Sequence, residues 1–117
     1  MTTDYKWSAA DKKTARRLYD AALAAELAEV LADFKARAAA AEDVQAMWAI
    51  HDHLRHVGRE LEGKYVYTYS RLDWLLLRLV HEGRLSEADL DAFSPGKREE
   101  LGQMLDSARA MRRSAGG

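Results

Sequence analysis

"AADKKTARRLYDAALAAELAEVLADFKAR", Ala9 to Arg37, decides how this chain folds, because nothing along its length tells a helix to stop. Ser8 stands before it as an N-cap and Asp11 occupies the third helical position, a capping-box-like start. Leu18, Ala22, Leu23, Leu27, Val30, Leu31 and Phe34 recur at three- and four-residue spacing, opposite Lys12, Lys13, Glu26, Glu29 and Asp33. The pattern predicts an amphipathic helix of roughly thirty residues, about 45 Å long. A compact monomer of 117 residues has a radius of gyration of about 13 Å and hence a diameter of roughly 35 Å. The helix therefore overhangs its own globule, and no Gly or Pro near Ala22 offers to fold it back. The stripe stays apolar through Phe34, so the overhang needs cover, and a second copy across a twofold axis supplies it most simply. The expectation is a homodimer built on the first two helices.

The remainder also reads as helix. The only proline is Pro95, glycine is scarce before Gly58, and Ala, Leu, Glu, Arg and Lys dominate. Asp43 can cap a second helix carrying Val44, Met47, Trp48, His51, Leu54 and Leu61, which ends near Gly63. A third covers roughly Tyr69 to His81, with Gly83 beyond its end. Ser86 and Asp89 form a capping box for a short turn, and Ser94 with Pro95 opens the last helix. "YVYTY", 65–69, alternates like a strand but has no partner, so it is read as helix or aromatic connector. The predicted architecture is a single all-α domain: a long helical stalk over about 8–63, a small helical head over about 64–112, and a frayed tail over 113–117. Two such chains would make an elongated dimer.

Composition narrows the function. At 48% hydrophobic and 32% charged the chain can form one modest core. A net charge of -1 builds in no general pull toward nucleic acid or anionic lipid. The absence of cysteine excludes disulfides, thiol nucleophiles and cysteine-type zinc sites. "MTTDYKWSAADKK" lacks the apolar run of a secretory signal and "WLLL" is too short to span a bilayer, so a soluble cytoplasmic protein with neither membrane nor nucleic acid as partner is expected.

The most chemically loaded stretch is "WAIHDHLRH", Trp48 to His56. A metal reading pairs His53 with His56, or His56 with Glu60, one turn apart, but two ligands do not close a site and His81 would have to come from another helix. The His51-Asp52 dipeptide resembles metal-dependent phosphohydrolases, yet no histidine precedes His51 to complete their ligand set. Neither Ser70 nor Ser94 sits in a nucleophile motif, and no Gly-rich phosphate loop occurs. No enzyme and no cofactor are expected. On a helix, Trp48, Asp52, Arg55 and Arg59 follow one another at three- and four-residue steps, with His51 on the neighbouring face. The plain reading is an aromatic beside surface ion pairs worth under about 1 kcal/mol. Across an interface, a desolvated pairing of Asp52 with Arg55 or Arg59 would instead set register.

"MWAIHDHLRHVGRELEGKY" followed by "LLLRLVHEGRLSEADL" resembles the fluorescence recovery protein family of cyanobacteria. Trp48, His51, Asp52, Leu54, Glu60, Gly63, Lys64, Tyr65, Glu82, Gly83 and Leu90 carry the likeness, which extends back through Trp7, Ser8, Ala15, Leu18, Tyr19, Ala22, Glu26 and Leu27. The resemblance implies an all-helical elongated dimer that binds light-activated orange carotenoid protein and speeds its return to the resting orange state. Carried over by position, it implies that Trp48 and Asp52 belong to the dimer contact with His51 beside them; the apolar stripe adds Leu27, Val30, Leu31 and Phe34 to that expected interface, and Arg55 and Arg59 are its candidate arginines. It also implies a client-facing head with Trp74, Tyr65 and Lys97. The arginine that the family places six positions after the aspartate is here Gly58, and "VYTYSR" replaces the charged stretch after Gly-Lys-Tyr. A helical dimeric scaffold with a different protein client is therefore the alternative reading.

Overall fold

The structure is a computed structural model that describes residues 7–116. Four α-helices and one 3-10 turn follow in order: α1 (Ala9–Ala40), α2 (Val44–Lys64), α3 (Leu72–His81), the turn Glu87–Ala92, and α4 (Pro95–Gly116). Among the described residues there is no strand, so the fold is all-α. No helix among them is long and apolar enough to cross a membrane.

α1 starts at Ser8, whose hydroxyl accepts the Asp11 N–H at 3.1 Å. It continues past Arg37 to Ala40, through the polyalanine run, because alanine carries the best intrinsic helix propensity. Asp43 then caps α2 by accepting the Ala46 N–H at 2.8 Å. α2 runs back along α1, as the contacts of Asp33 with His53 and of Glu26 with Lys64 require. The third helix begins at Leu72 rather than Tyr69, because the tyrosines before it are spent on packing. Tyr19 stands edge-on to both Tyr65 and Tyr67, and Tyr69 stacks obliquely on Trp7. "YVYTY" is thus the aromatic connector. Gly83, at φ 79°, ends α3 in a conformation that L side chains avoid. The capping box is complete, with the Ser86 N–H donating to Asp89 and the Asp89 N–H to Ser86 Oγ. α4 remains helical to Gly116, past the expected fraying point, because nothing before that glycine breaks it.

The core lies at one end. Leu72, Leu76 and Leu79 of α3 and Leu101 of α4 are fully enclosed, with Ala15, Leu18, Tyr19 and Ala22 of α1 and Leu85, Leu90 and Phe93 around them. Each buried leucine is worth about 1.5–3 kcal/mol relative to exposure. Beyond Ala22 no residue of α1 is fully buried, and none of α2 is. The long helix therefore begins inside the globule and leaves it. The radius of gyration, 17.8 Å, exceeds the roughly 13 Å of a compact chain of this length, and the extents are 55 × 39 × 28 Å.

Candidate functional site

The first uncovered surface lies on the α1–α2 hairpin. Leu27, Leu31, Phe34, Val44, Met47 and Trp48 are all exposed, Trp48 at 54%. A groove of about 330 Å³ between the helices is lined by Phe34, Ala38, Met47, Ile50, His51 and Leu54. Trp48 presents its ring edge-on to His51, with centroids 5.7 Å apart. Asp52 keeps 79% of its side chain in solvent and meets only the His51 Nδ1, at 3.4 Å. Arg55 and Arg59 are exposed on the same stripe, and neither pairs with Asp52 inside the chain. Val30 is half-buried. The nine residues expected at a dimer contact thus lie on α1 beyond Ala22 or on α2, eight of them exposed.

The histidines do not converge. His51 meets Asp52, His53 meets Asp33 at 3.4 Å, and His56 meets Glu60 at 3.0 Å, three separate carboxylates along two helices. Among the described residues no group of three or more potential ligands is placed to hold a metal ion. Gly58 sits in the interior of α2, and a Cβ added there would meet nothing. Gly58→Ala should therefore raise the unfolding free energy by about 0.5–1 kcal/mol, read from urea melts.

A second cluster ties the hairpin to the head. Lys64 Nζ donates to Glu26 Oε1 at 2.7 Å and to Glu82 Oε1, while the Tyr65 hydroxyl donates to the same Glu26 oxygen at 2.6 Å. Arg84 reaches Glu26 through Nε at 3.2 Å and grips Glu29 through both terminal nitrogens, at 2.7 and 3.2 Å. Arg78 donates to the other oxygen of Glu82 at 3.0 Å. Burial pushes the Tyr65 phenol well up, reinforced by its bond to Glu26. At Glu82 burial opposes the charge, but the bonds from Lys64 and Arg78 outweigh it and hold the carboxyl below its ordinary value.

The head surface is built on Trp74, 62% exposed on α3. Beside it a groove of about 610 Å³ is lined by Met104, Ser107, Ala108 and Met111 of α4, with Glu100 and Arg112 at its edges. The two other residues expected to face a client are enclosed. Tyr65 is 7% exposed because its ring packs on Tyr19 and its hydroxyl is committed to Glu26. Lys97 is 4% exposed, with Nζ 3.8 Å above the Trp7 ring and 2.9 Å from Glu100. As placed, both hold the head together and neither presents a surface. Met104, Ala108 and Met111 were legible as a helical stripe, at steps of four and three, but nothing in the sequence said that the stripe is left uncovered beside Trp74.

An all-helical chain with two uncovered apolar surfaces is of the kind that meets other proteins. Its sequence matches the family of the photoprotection regulator fluorescence recovery protein over residues 7–105, and the chain belongs to that family. It is 27% identical over 101 residues to the fluorescence recovery protein of Synechocystis sp. (strain ATCC 27184 / PCC 6803 / Kazusa), covering 86% of this chain and 93% of that protein. The solved structure of the Fremyella diplosiphon fluorescence recovery protein superposes with a TM-score of 0.76 at 25% identity, covering 86% of this chain and 98% of that one. The Synechocystis sp. PCC 6803 structure gives a TM-score of 0.76 at 27% identity, covering 83% and 95%.

Proposed function

We propose that the chain works as a homodimer that binds photoactivated orange carotenoid protein, or a related client domain, through its heads and speeds the client's return to the resting orange state. The observation that carries the dimer is the uncovered hairpin face, in which Leu27, Leu31 and Phe34 of α1 and Met47 and Trp48 of α2 remain in solvent. A monomer rarely leaves so long an apolar stripe uncovered, and a twofold contact covers it on both chains at once. Asp52, with no arginine inside the chain, is free to take Arg55 or Arg59 of the second copy. Trp74 and the methionine-lined groove support a head that receives a client, since exposed Trp and Met are the side chains that anchor interfaces.

Such a protein performs no bond chemistry of its own. It accelerates recovery by holding the client conformation on the way back more tightly than the activated one, lowering that barrier by the difference. The test is to mix the purified protein with photoactivated orange carotenoid protein, time the colour reversion and pass the mixture over a sizing column. Acceleration and a complex are expected. Trp74→Ala should cut the acceleration roughly tenfold or more, as loss of an interface anchor does, and leave the dimer intact. Gly58 in place of the family arginine favours the second reading, a dimeric regulator of a different client. Absence of both acceleration and complex selects it.

A further inference from the structure

We infer that Lys64 is a positioning residue, an ammonium anchor that fixes where α2 lies along α1. α2 has no fully buried residue, so packing alone holds it loosely against its neighbour. At its closed end the turn between Ala40 and Val44 ties it to α1, and midway the half-exposed contact of His53 with Asp33 does so. At its open end Leu61 packs on the rim of the core and the Gly-Lys-Tyr segment follows. There Lys64, the last residue of α2, keeps 5% of its side chain in solvent and bridges Glu26 of α1 to Glu82 at the end of α3. Six charges meet at this point: Glu26, Glu29 and Glu82 against Lys64, Arg78 and Arg84, a neutral set.

An ammonium withdrawn from water is tolerated only where carboxylates replace its hydration shell, so Lys64 has one low-energy location, between Glu26 and Glu82. Sliding α2 by one residue along α1 would move the ammonium by about 1.5 Å and swing it about 100° around the helix, away from both partners. The buried charge therefore selects a register that apolar contacts would leave soft. Register matters because the uncovered apolar face is shared, with Leu27, Leu31 and Phe34 on one helix and Met47 and Trp48 on the other. Lys64 shapes that face without belonging to it. This consequence rests on the dimer reading above, whereas the anchor itself does not.

The chain contains no cysteine, so spin labels can be placed without removing any native thiol. Labels at exposed Lys13 and Glu62 report how α2 ends relative to the part of α1 inside the core. Dilution of labelled chains with an excess of unlabelled ones isolates the intrachain distance. The native protein should give one narrow distance distribution. Lys64→Met, which removes the charge but keeps a side chain of similar length, should broaden it while the helix content is retained. Glu82→Gln, a milder change that leaves Glu26 in place, should broaden it less. Arg109→Ala, which breaks the exposed pair with Glu87 elsewhere in the head, should leave it narrow.

A distribution as narrow in Lys64→Met as in the native chain overturns the proposal. So does equal broadening in Arg109→Ala, which would reflect general loosening. Sedimentation of the unlabelled Lys64→Met protein should show a dimer dissociation constant raised roughly tenfold, a range typical of coupling through a positioning contact. Broadening with an unchanged dissociation constant upholds the anchor and counts against the shared face as the dimer contact.

Discussion

Replacing Trp48 by alanine is expected to weaken self-association by about 2–4 kcal/mol, a thirtyfold or greater rise in the dissociation constant. Trp48 stands 54% exposed on α2, its ring in edge contact with His51 and near the groove of Phe34 and Met47, so about half of its surface is left in solvent. A second copy can remove most of that surface from water, and large aromatics supply the greatest area at the lowest entropy cost. Because no residue of α2 is fully buried, the same change should shift the unfolding free energy of the separated chain by no more than about 0.5 kcal/mol. Trp48→Phe should fall between. Sedimentation equilibrium over a wide concentration range separates association from folding, and a native dissociation constant in Trp48→Ala would take this residue out of the contact.

Asp11→Ala should destabilise the fold by roughly 2–4 kcal/mol, the combined value of two hydrogen bonds to a buried carboxylate. Asp11 is 3% exposed, and its carboxylate accepts the Ser94 N–H at 2.8 Å and the Ser94 hydroxyl at 2.6 Å, joining the start of α1 to the start of α4. Burial opposes the charge there, but the bonds from Ser94 prevail and hold the carboxyl below its ordinary value of 3.8. A carboxyl whose folded value is depressed contributes stability above its unfolded value and loses it as pH falls through the folded one. Urea melts should therefore show the native chain losing this contribution below about pH 4, with the difference from Asp11→Ala narrowing over that range. A constant difference down to pH 2 would mean that the carboxylate charge is not what Ser94 needs.

Asp11 also shows where reading the chain stopped. Its place three residues after Ser8 predicted a capping box, and half of one formed: Ser8 accepts the Asp11 N–H. The carboxylate went instead to Ser94, 83 positions away, a partner that no local spacing announces. Glu26 behaves alike. It reads as part of the solvated face of α1, yet it lies under Lys64, Tyr65 and Arg84. Lys97 and Tyr65, which the resemblance placed toward a client, are enclosed for the same reason, that each meets a distant segment: Tyr65 bonds Glu26, and Lys97 lies over the Trp7 ring and 3.6 Å from Asp73.

The helices themselves, the caps at Ser8, Asp43 and Ser86, the stop at Gly83 and the apolar stripe that outruns the core were set by the sequence acting locally, through propensity, side-chain reach of three or four residues, and period, whereas the start of α3 at Leu72 was decided by the packing of the tyrosines before it. The family resemblance was carried most specifically by similarly local stretches around Trp48 and Gly63-Lys64-Tyr65. Which charges are buried, which aromatics face inward, and that Trp74 borders a methionine-lined groove were decided only by the tertiary structure. A charge or ring is worth burying only when a second segment brings the group that replaces water, and that meeting belongs to the folded chain rather than to any window of it.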